Sequence, residues 1–382
     1  MYIFRAISLL LCSSILILNG CTGTPEIQNM AYATAIGIDF KDGKWIAYAQ
    51  ILNFSNISHS EQVTLGQPVP VWVGKGEGET VALALTDISR TAQLQVFWGH
   101  VKAVVMTEAV LKKSVTDVYS AINRYREVRY NILIYGTKRE IPDILVQKSI
   151  LNLSPLETIM FTATQMSSPI SVILPVTVNR VIADLNEPGE PAMIPSIDLD
   201  TNDWMEDKQA KPMFALSGGY FFKQNKMIGW MSVRDLQGIR WAEKGLKRIP
   251  LKVSAHGSPA AVIEFSSPKM RISPVKVNGE TRFNLEVEAN GYVIELMQDV
   301  TMNHLKDRAA DAIRKEITST YRKAIKQNID PFHLRESLYR SSPLEFRRLS
   351  GSDAFFLKND SLGEIKININ LLNTGKYKGT KN

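Results

Sequence analysis

The sequence predicts a mixed α/β and α+β protein of three consecutive domains, each a sheet packed with helices, behind a lipoprotein signal peptide. Three observations predict it. A short apolar leader ends at Cys21. Strand-like runs then alternate with amphipathic helical stretches. Farther on, tight-turn dipeptides join β-rich runs around one long amphipathic helix. The 382 residues suffice for two or three domains of ~100–150 residues each.

The leader, residues 1–20, has Arg5 as a thin positive region and an uncharged stretch from Ala6 to Leu18. That stretch is too short for a bilayer core, which needs ~20 apolar residues, and it reads as an export signal. Leu18-Asn19-Gly20-Cys21 closes it like a bacterial lipobox. Cys21 is therefore expected to carry a diacylglyceryl group and become the mature N-terminus. Cys12 lies in the leader, so the mature chain keeps a single, acylated Cys. No disulfide framework and no Cys-based zinc or redox site is expected.

The first domain is expected over residues 21–183. Ala31 to Asp39 and Trp45 to Leu52 are β-rich runs around Asp42-Gly43, a hairpin signal. Val69 to Val73 is a further strand. Gly74-Lys75-Gly76-Glu77-Gly78 reads as a flexible turn: no Gly-Lys-Ser/Thr closes it, and Glu77 and Glu79 would repel phosphate. A helix over about 80–92 carries Val81, Ala84, Leu85, Ile88 and Ala92 on one face. Val101 to Met106 is a buried strand, and Thr107 can cap the helix that follows. Tyr130 to Tyr135 is another strand; helices near 141–148 and 155–166 complete the domain.

Residues 184–248 are expected as an acidic linker and a small hairpin–helix domain. Asp184 to Asp207 holds eight acids and no Lys or Arg, and 184–212 reads as a loop. Phe214 to Phe222 and Lys226 to Met231 form a hairpin, followed by a helix near 233–242. Asp198, Asp200 and Asn202 fall on three calcium-loop ligand positions, but Asp203 replaces the required Gly and Gln209 the terminal Glu. A solvated acidic loop is the expectation there.

Residues 249–382 are expected as an α+β domain. Strands are predicted over 251–253, 261–265, 270–277 and 283–288, the last two joined at Asn278-Gly279. The longest helix, about 302–327, carries Leu305, Ala309, Ala312, Ile313, Ile317 and Ala324 as its apolar stripe. A short helix follows Asp330-Pro331, with Pro at an N1-like position. Ile365, Ile367, Ile369 and Leu371 alternate with polar residues as a half-buried final strand.

The net charge of +7 is unevenly placed. Residues 1–183 are nearly balanced, whereas from Lys208 onward 30 basic residues face 17 acidic ones. Nucleic acid does not suit an exported lipoprotein. A basic region tethered at a membrane suits anionic headgroups or an acidic partner. The helix face bearing Arg314, Lys315, Arg322 and Lys323 is the expected contact with a partner or with lipid.

The five His residues show no metal-ligand spacing, no Gly-x-Ser-x-Gly elbow exists, and no carboxylate stands out by local context. No catalytic residue, metal or cofactor is expected, and no ligand-binding residue is identified.

Three stretches carry a resemblance: Tyr32-Ala33-Thr34-Ala35-Ile36-Gly37-Ile38-Asp39, Phe97-Trp98-Gly99-His100-Val101-Lys102, and Ser217-Gly218-Gly219-Tyr220-Phe221-Phe222 with Met227-Ile228-Gly229-Trp230. With the leader, the long helix, Leu338-Tyr339-Arg340-Ser341-Ser342-Pro343 and a final strand ending near Gly375, the chain resembles the Ger(x)C family. These are the lipoprotein C subunits of spore nutrient germinant receptors. Two departures stand out: Thr22 follows the Cys where relatives often have Trp, and Phe332-His333-Leu334-Arg335-Glu336 replaces a Gly-rich turn. The resemblance implies a non-enzymatic subunit needed for receptor assembly and signalling in germination. It implies two integral-membrane partners, one permease-like, and an extracytoplasmic location at the inner spore membrane. The alternative is a solute-binding lipoprotein of a membrane transporter, which predicts two lobes, a hinge and a polar cleft.

Overall fold

The computed structural model describes residues 30–52, 70–162, 172–189, 191–243, 245–351 and 354–372. The leader and Cys21 lie outside the described residues, as do residues 53–69, Met166 and Gly375.

The first hairpin is β1 (Met30–Lys41) and β2 (Lys44–Leu52). Asp42 and Gly43 both take positive φ, 51° and 77°, as a tight right-twisting hairpin requires. β3 (Val71–Gly78) pairs with β2 and runs through the glycine-rich stretch. The expected flexible turn is thus a strand. The reason is the helix above it, α1 (Val81–Ile88), capped by Thr80. A Cβ on Gly76 would lie 2.3 Å from the Ala84 carbonyl oxygen and 2.7 Å from the Ile88 nitrogen. Only a side-chain-free strand admits the helix backbone this closely.

β4 (Gln95–Phe97) and β5 (Ala103–Thr107) both pair parallel with β1. The helical stretch after β5 is broken at Ser114 into α2 (Glu108–Lys113) and α3 (Val115–Ile122), and Ser114 Oγ caps the second by accepting from Asp117 N. Thr107 does not cap with its side chain; its hydroxyl donates to Asp39 Oδ1 at 2.5 Å. β6 (Leu133–Thr137) lies parallel to β5. α4 (Ile141–Leu145) crosses the other face of the sheet and seats Ile141 where a Cβ on Gly37 would otherwise stand. Of the helix expected over 155–166, the described part holds one 3-10 turn, Pro155–Glu157.

β7 (Val176–Thr177) and α5 (Val178–Asn186) lead into β8 (Ala192–Asp200). The middle of the expected acidic loop, Ala192–Asp200, is therefore a strand. Ile194 and Ile197 are fully buried, and that burial outweighs the Pro and acid content that reads as loop. A ribbon of β9 (Met205–Glu206) and β10 (Gln209–Ala210) follows. The middle hairpin is β11 (Met213–Lys223) and β12 (Lys226–Ser232). Its strands join the first sheet through β8, giving ten strands with the main order β12-β11-β8-β6-β5-β1-β2-β3. The expected helix near 233–242 is a 3-10 turn, Gln237–Trp241.

Both faces of this sheet are covered. Ile36, Ile38, Val104, Met106 and Ile134 pack with α1, α3 and α5. The alternate residues Ala35, Val105, Leu133 and Tyr135 pack with α4 and residues 159–161. Buried Gln50 ties the second face together: its Oε1 accepts from Thr34 Oγ1 at 2.7 Å and its Nε2 donates to the Leu145 carbonyl at 2.6 Å. Phe221 and Met231, on the outward face of the middle hairpin, share a core with Ala324 and Ile329.

The second large sheet has the order β13 (Ile249–Ala255), β14 (Ser258–Val277), β15 (Glu280–Leu296), β16 (Leu362–Leu372). The two strands expected at 261–265 and 270–277 form one 20-residue β14, with a register shift between Ser266 and Lys269. Asn278-Gly279 makes the predicted tight turn, φ 51° and 82°; His256-Gly257, φ 50° and 79°, makes an unpredicted one. α6 (Met302–Ile325) buries Leu305, Ala309, Ile313, Ile317 and Tyr321 against this sheet. α7 (Leu334–Ser341) starts later than Pro331 suggested, because His333 is its left-handed N-cap residue and buried Asp330 accepts from Arg335 N at 2.8 Å. α8 (Pro343–Ser350) completes the layer.

Glu345 on α8 fastens that layer to the tip of the β14–β15 hairpin. Its carboxylate accepts from Arg348 Nη2 at 2.7 Å, from Thr281 Oγ1 at 2.9 Å and from Lys276 Nζ. Arg348 first, then Lys276, hold it far below the usual carboxylate range. Its folded pKa lies below the unfolded value, so the unfolded chain binds the extra proton. The contribution is complete above about pH 4.3 and is lost as pH falls toward the folded value. Glu345→Gln should therefore flatten the acid limb of a Tm-versus-pH curve and leave its shape between pH 6 and 8 unchanged.

Candidate functional site

The long helix positions the residues singled out in the sequence. Its 24 residues give a rod of about 36 Å, and Thr301 Oγ1 caps it by accepting from His304 N at 3.3 Å. With the apolar stripe turned to the sheet, the opposite side carries Asp311, Arg314, Lys315, Thr318, Ser319, Arg322 and Lys323 along one shallow trough. All four predicted basic residues thus share one surface.

They are not equivalent there. Arg314 is turned inward: Nη1 meets Asp311 Oδ1 at 2.7 Å, and Nε donates to the Ile365 carbonyl of β16 at 3.3 Å. Lys323 Nζ lies 2.6 Å from Asp235 Oδ1 in the middle unit. Lys323, with the hydroxyl of Ser232, holds the Asp235 carboxyl below its usual range. Lys315 and Arg322 are exposed, and no ion pair among the described residues uses them. The free positive charge of the trough comes from these two.

The inner edge of the same helix is a polar seam that sequence reading missed. Glu316 accepts from Arg240 Nη2 at 2.6 Å, Arg240 Nε at 3.0 Å and Trp241 Nε1 at 2.8 Å. One turn on, Thr320 Oγ1 accepts from Gly238 N at 2.9 Å and donates to the Asp235 carbonyl at 2.7 Å. The 3-10 turn of the middle unit is thereby bolted to α6. Nothing local marks Glu316, because its partners lie in a segment remote in sequence.

Other candidates are spoken for. Asp198 pairs with Arg139 at 2.6 Å, and Asp200 Oδ1 accepts from the Asn202 and Asp203 nitrogens. Those oxygens cap their own chain. Among the described residues, no group of three or more His, Cys, Asp or Glu is arranged to hold a metal. His256 and His304 stack with ring centroids 6.2 Å apart. His100 packs edge-on to Tyr32 at 5.0 Å; burial first, then Arg129 and Lys102, push its pKa down. No helix among the described residues is long and apolar enough to cross a membrane.

Comparison with known proteins fits this architecture. The spore germination protein N-terminal domain matches residues 23–199, and the spore germination B3/GerAC-like C-terminal domain matches residues 217–375. Spore germination protein KC of Bacillus subtilis (strain 168) is 23% identical over 362 residues, covering 90% of this chain and 89% of that protein. The putative spore germination protein YfkR of the same organism is 21% identical over 343 residues, covering 87% of each. The crystal structure of the GerBC protein superposes with a TM-score of 0.53 at 15% identity, covering 91% of this chain and 99% of that one. Two domain families matched in order over nearly the whole chain, on a fold shared with GerBC, identify this protein as a member of the GerAC family of spore germination proteins.

Proposed function

We propose that the protein is a lipid-anchored, non-enzymatic subunit of a spore nutrient germinant receptor, required for its assembly and signalling. The carrying observation is the leader closing at Leu18-Asn19-Gly20-Cys21 directly before a chain that both germination domain families match in order. A diacylglyceryl group on Cys21 supplies two chains, each gaining ~0.8 kcal/mol per buried methylene, enough for stable anchoring. The partners are two integral-membrane subunits, one permease-like, and the site of action is the extracytoplasmic face of the inner spore membrane. Two features support a scaffolding role. The ionisable groups of the seam are engaged in holding the units together, and Arg240, Glu316 and Thr320 fasten the middle unit to α6 directly rather than through a hinge. Lys315 and Arg322 are the contacts toward an acidic partner loop or headgroup.

Tagged chain isolated from dormant-spore membranes should bring down both integral subunits. Cys21→Ala should lose metabolic fatty-acid label and most of that recovery. Lys315→Glu with Arg322→Glu should weaken recovery mainly at low salt, where screening is least, while leaving Tm unchanged, since exposed charges contribute only ~0–1 kcal/mol each. This pair avoids Arg314 and Lys323, whose reversal would also break internal bonds. Recovery of no integral protein, or label persisting in Cys21→Ala, contradicts the proposal.

A further inference from the structure

One end of the ten-stranded sheet gathers exposed apolar side chains from four separate segments. β1 enters there at Met30, β2 leaves there at Leu52, and β3 starts opposite at Val71. Trp72 (71% exposed) and Leu94 (47%) flank an open groove of about 560 Å³ at this end, lined also by Met30, Leu52 and Ile88. β5 and β6 run parallel to β1, with Ala35, Ala103 and Leu133 in register. Residues just before Leu133 therefore reach the same end, and Tyr130 is 65% exposed there. α4 runs from Gly37 to Gln50 of the Ala35 row, so the loop that follows it leaves in the same direction. Its tip is Leu151, 77% exposed and held at φ 57°. A non-glycine residue in that region is strained, and a bare leucine is also poorly placed in water. The opposite end, where Gly78 turns into α1 and β8 ends at Asp200, also exposes large apolar residues, Leu83, Trp204 and Met205, so what distinguishes the first end is the entry of β1 at Met30.

We infer that this end of the sheet lies on the membrane and dips Trp72, Leu94, Tyr130 and Leu151 into the lipid interface. Three observations select lipid over protein as the occupant. Tyr130 and Leu151 stand outside the groove beside Trp72 and Leu94, each on its own loop, whereas a protein partner fills one continuous patch. Tyr130 closes a loop that exposes Arg124, Arg126 and Arg129 against the single acid Glu127, the mixture of an amphipathic ring and cations that suits an anionic headgroup layer. β1 also begins at this end: Met30 follows Cys21 by nine residues, a tether of at most about 30 Å. Only this last argument rests on the anchor reading.

The test uses the intact chain reconstituted in phosphatidylglycerol–phosphatidylethanolamine vesicles with brominated acyl chains, which quench indole emission on contact. Trp emission should be quenched, and Trp72→Phe should remove more than about half of the quenching, whereas Trp204→Phe should remove almost none. Tyr130→Trp should add a newly quenched emitter. Equal quenching in wild type and Trp72→Phe overturns the inference, as does a chain that stays apart from the vesicles. If Trp72 is unquenched but Trp72→Ser with Leu151→Ser lowers co-isolation of integral proteins, the face belongs to a protein partner and the inference fails. Fatty-acid labelling reports the anchor separately, so loss of label with Trp72 still quenched would overturn only the anchor reading.

Discussion

Glu316→Ala should destabilise the protein by about 2–4 kcal/mol, the largest effect expected of any single polar substitution in the seam. The side chains of Arg240 and Glu316 are only 12% and 23% exposed. Removing the carboxylate strands a guanidinium and an indole N–H that have no room for a full water shell. The cost is dominated by those orphaned donors rather than by the worth of the pair itself. Glu316→Gln keeps an acceptor for Trp241 and should recover part of the loss. Replacing both partners, Glu316→Met with Arg240→Met, should cost less than Glu316→Ala alone, because no charge is then left behind. Urea unfolding followed by Trp fluorescence measures all three. A Glu316→Ala cost below about 0.5 kcal/mol would mean that water already satisfies the seam.

Gly76→Ala should be nearly as damaging, about 3 kcal/mol, where an alanine in an open strand position would be harmless. The added methyl meets the backbone of α1, at Ala84 O and Ile88 N, and backbone cannot rotate away. Gly74 provides the control two residues earlier. Its nearest neighbour is the Ile88 Cγ2 methyl at 3.1 Å, a side-chain atom able to give way. Gly74→Ala should therefore cost about 1 kcal/mol or less. Calorimetry on the two variants separates close helix approach from general strand preference; equal Tm values would sink the explanation.

Much of the local structure was legible in advance. Asp42-Gly43 and Asn278-Gly279 turn where they should, since two consecutive positive φ angles leave few other residues eligible. The apolar stripe of α6 and the alternation of β16 follow from side-chain periodicity, which is a property of the chain itself. The misreadings share one cause. Gly74 to Gly78 and Ala192 to Asp200 have loop-like composition, yet each is a strand because neighbouring elements cover it. Composition records what a segment prefers alone; ladder hydrogen bonds and burial decide what it does when covered.

The interaction surface divides the same way. The sequence places Arg314, Lys315, Arg322 and Lys323 on one helix face, because Arg322 follows Lys315 by seven residues and Arg314 by eight, about two turns. It could not say that Lys323 answers to Asp235 and Arg314 to the Ile365 carbonyl, which leaves Lys315 and Arg322 as the outward pair. Nor could it show Glu316 reaching Arg240, or Trp72 and Leu94 lining one groove beside the start of β1. By itself the sequence determined the tight hairpin turns, the amphipathic faces of the main helices and the family likeness, all of which depend on residues close together along the chain. The tertiary structure alone decided the ten-strand order, the seam between the units and the groove beside Trp72. Each of these depends on contacts between residues far apart in sequence, whose free energy exists only once the chain has closed around them.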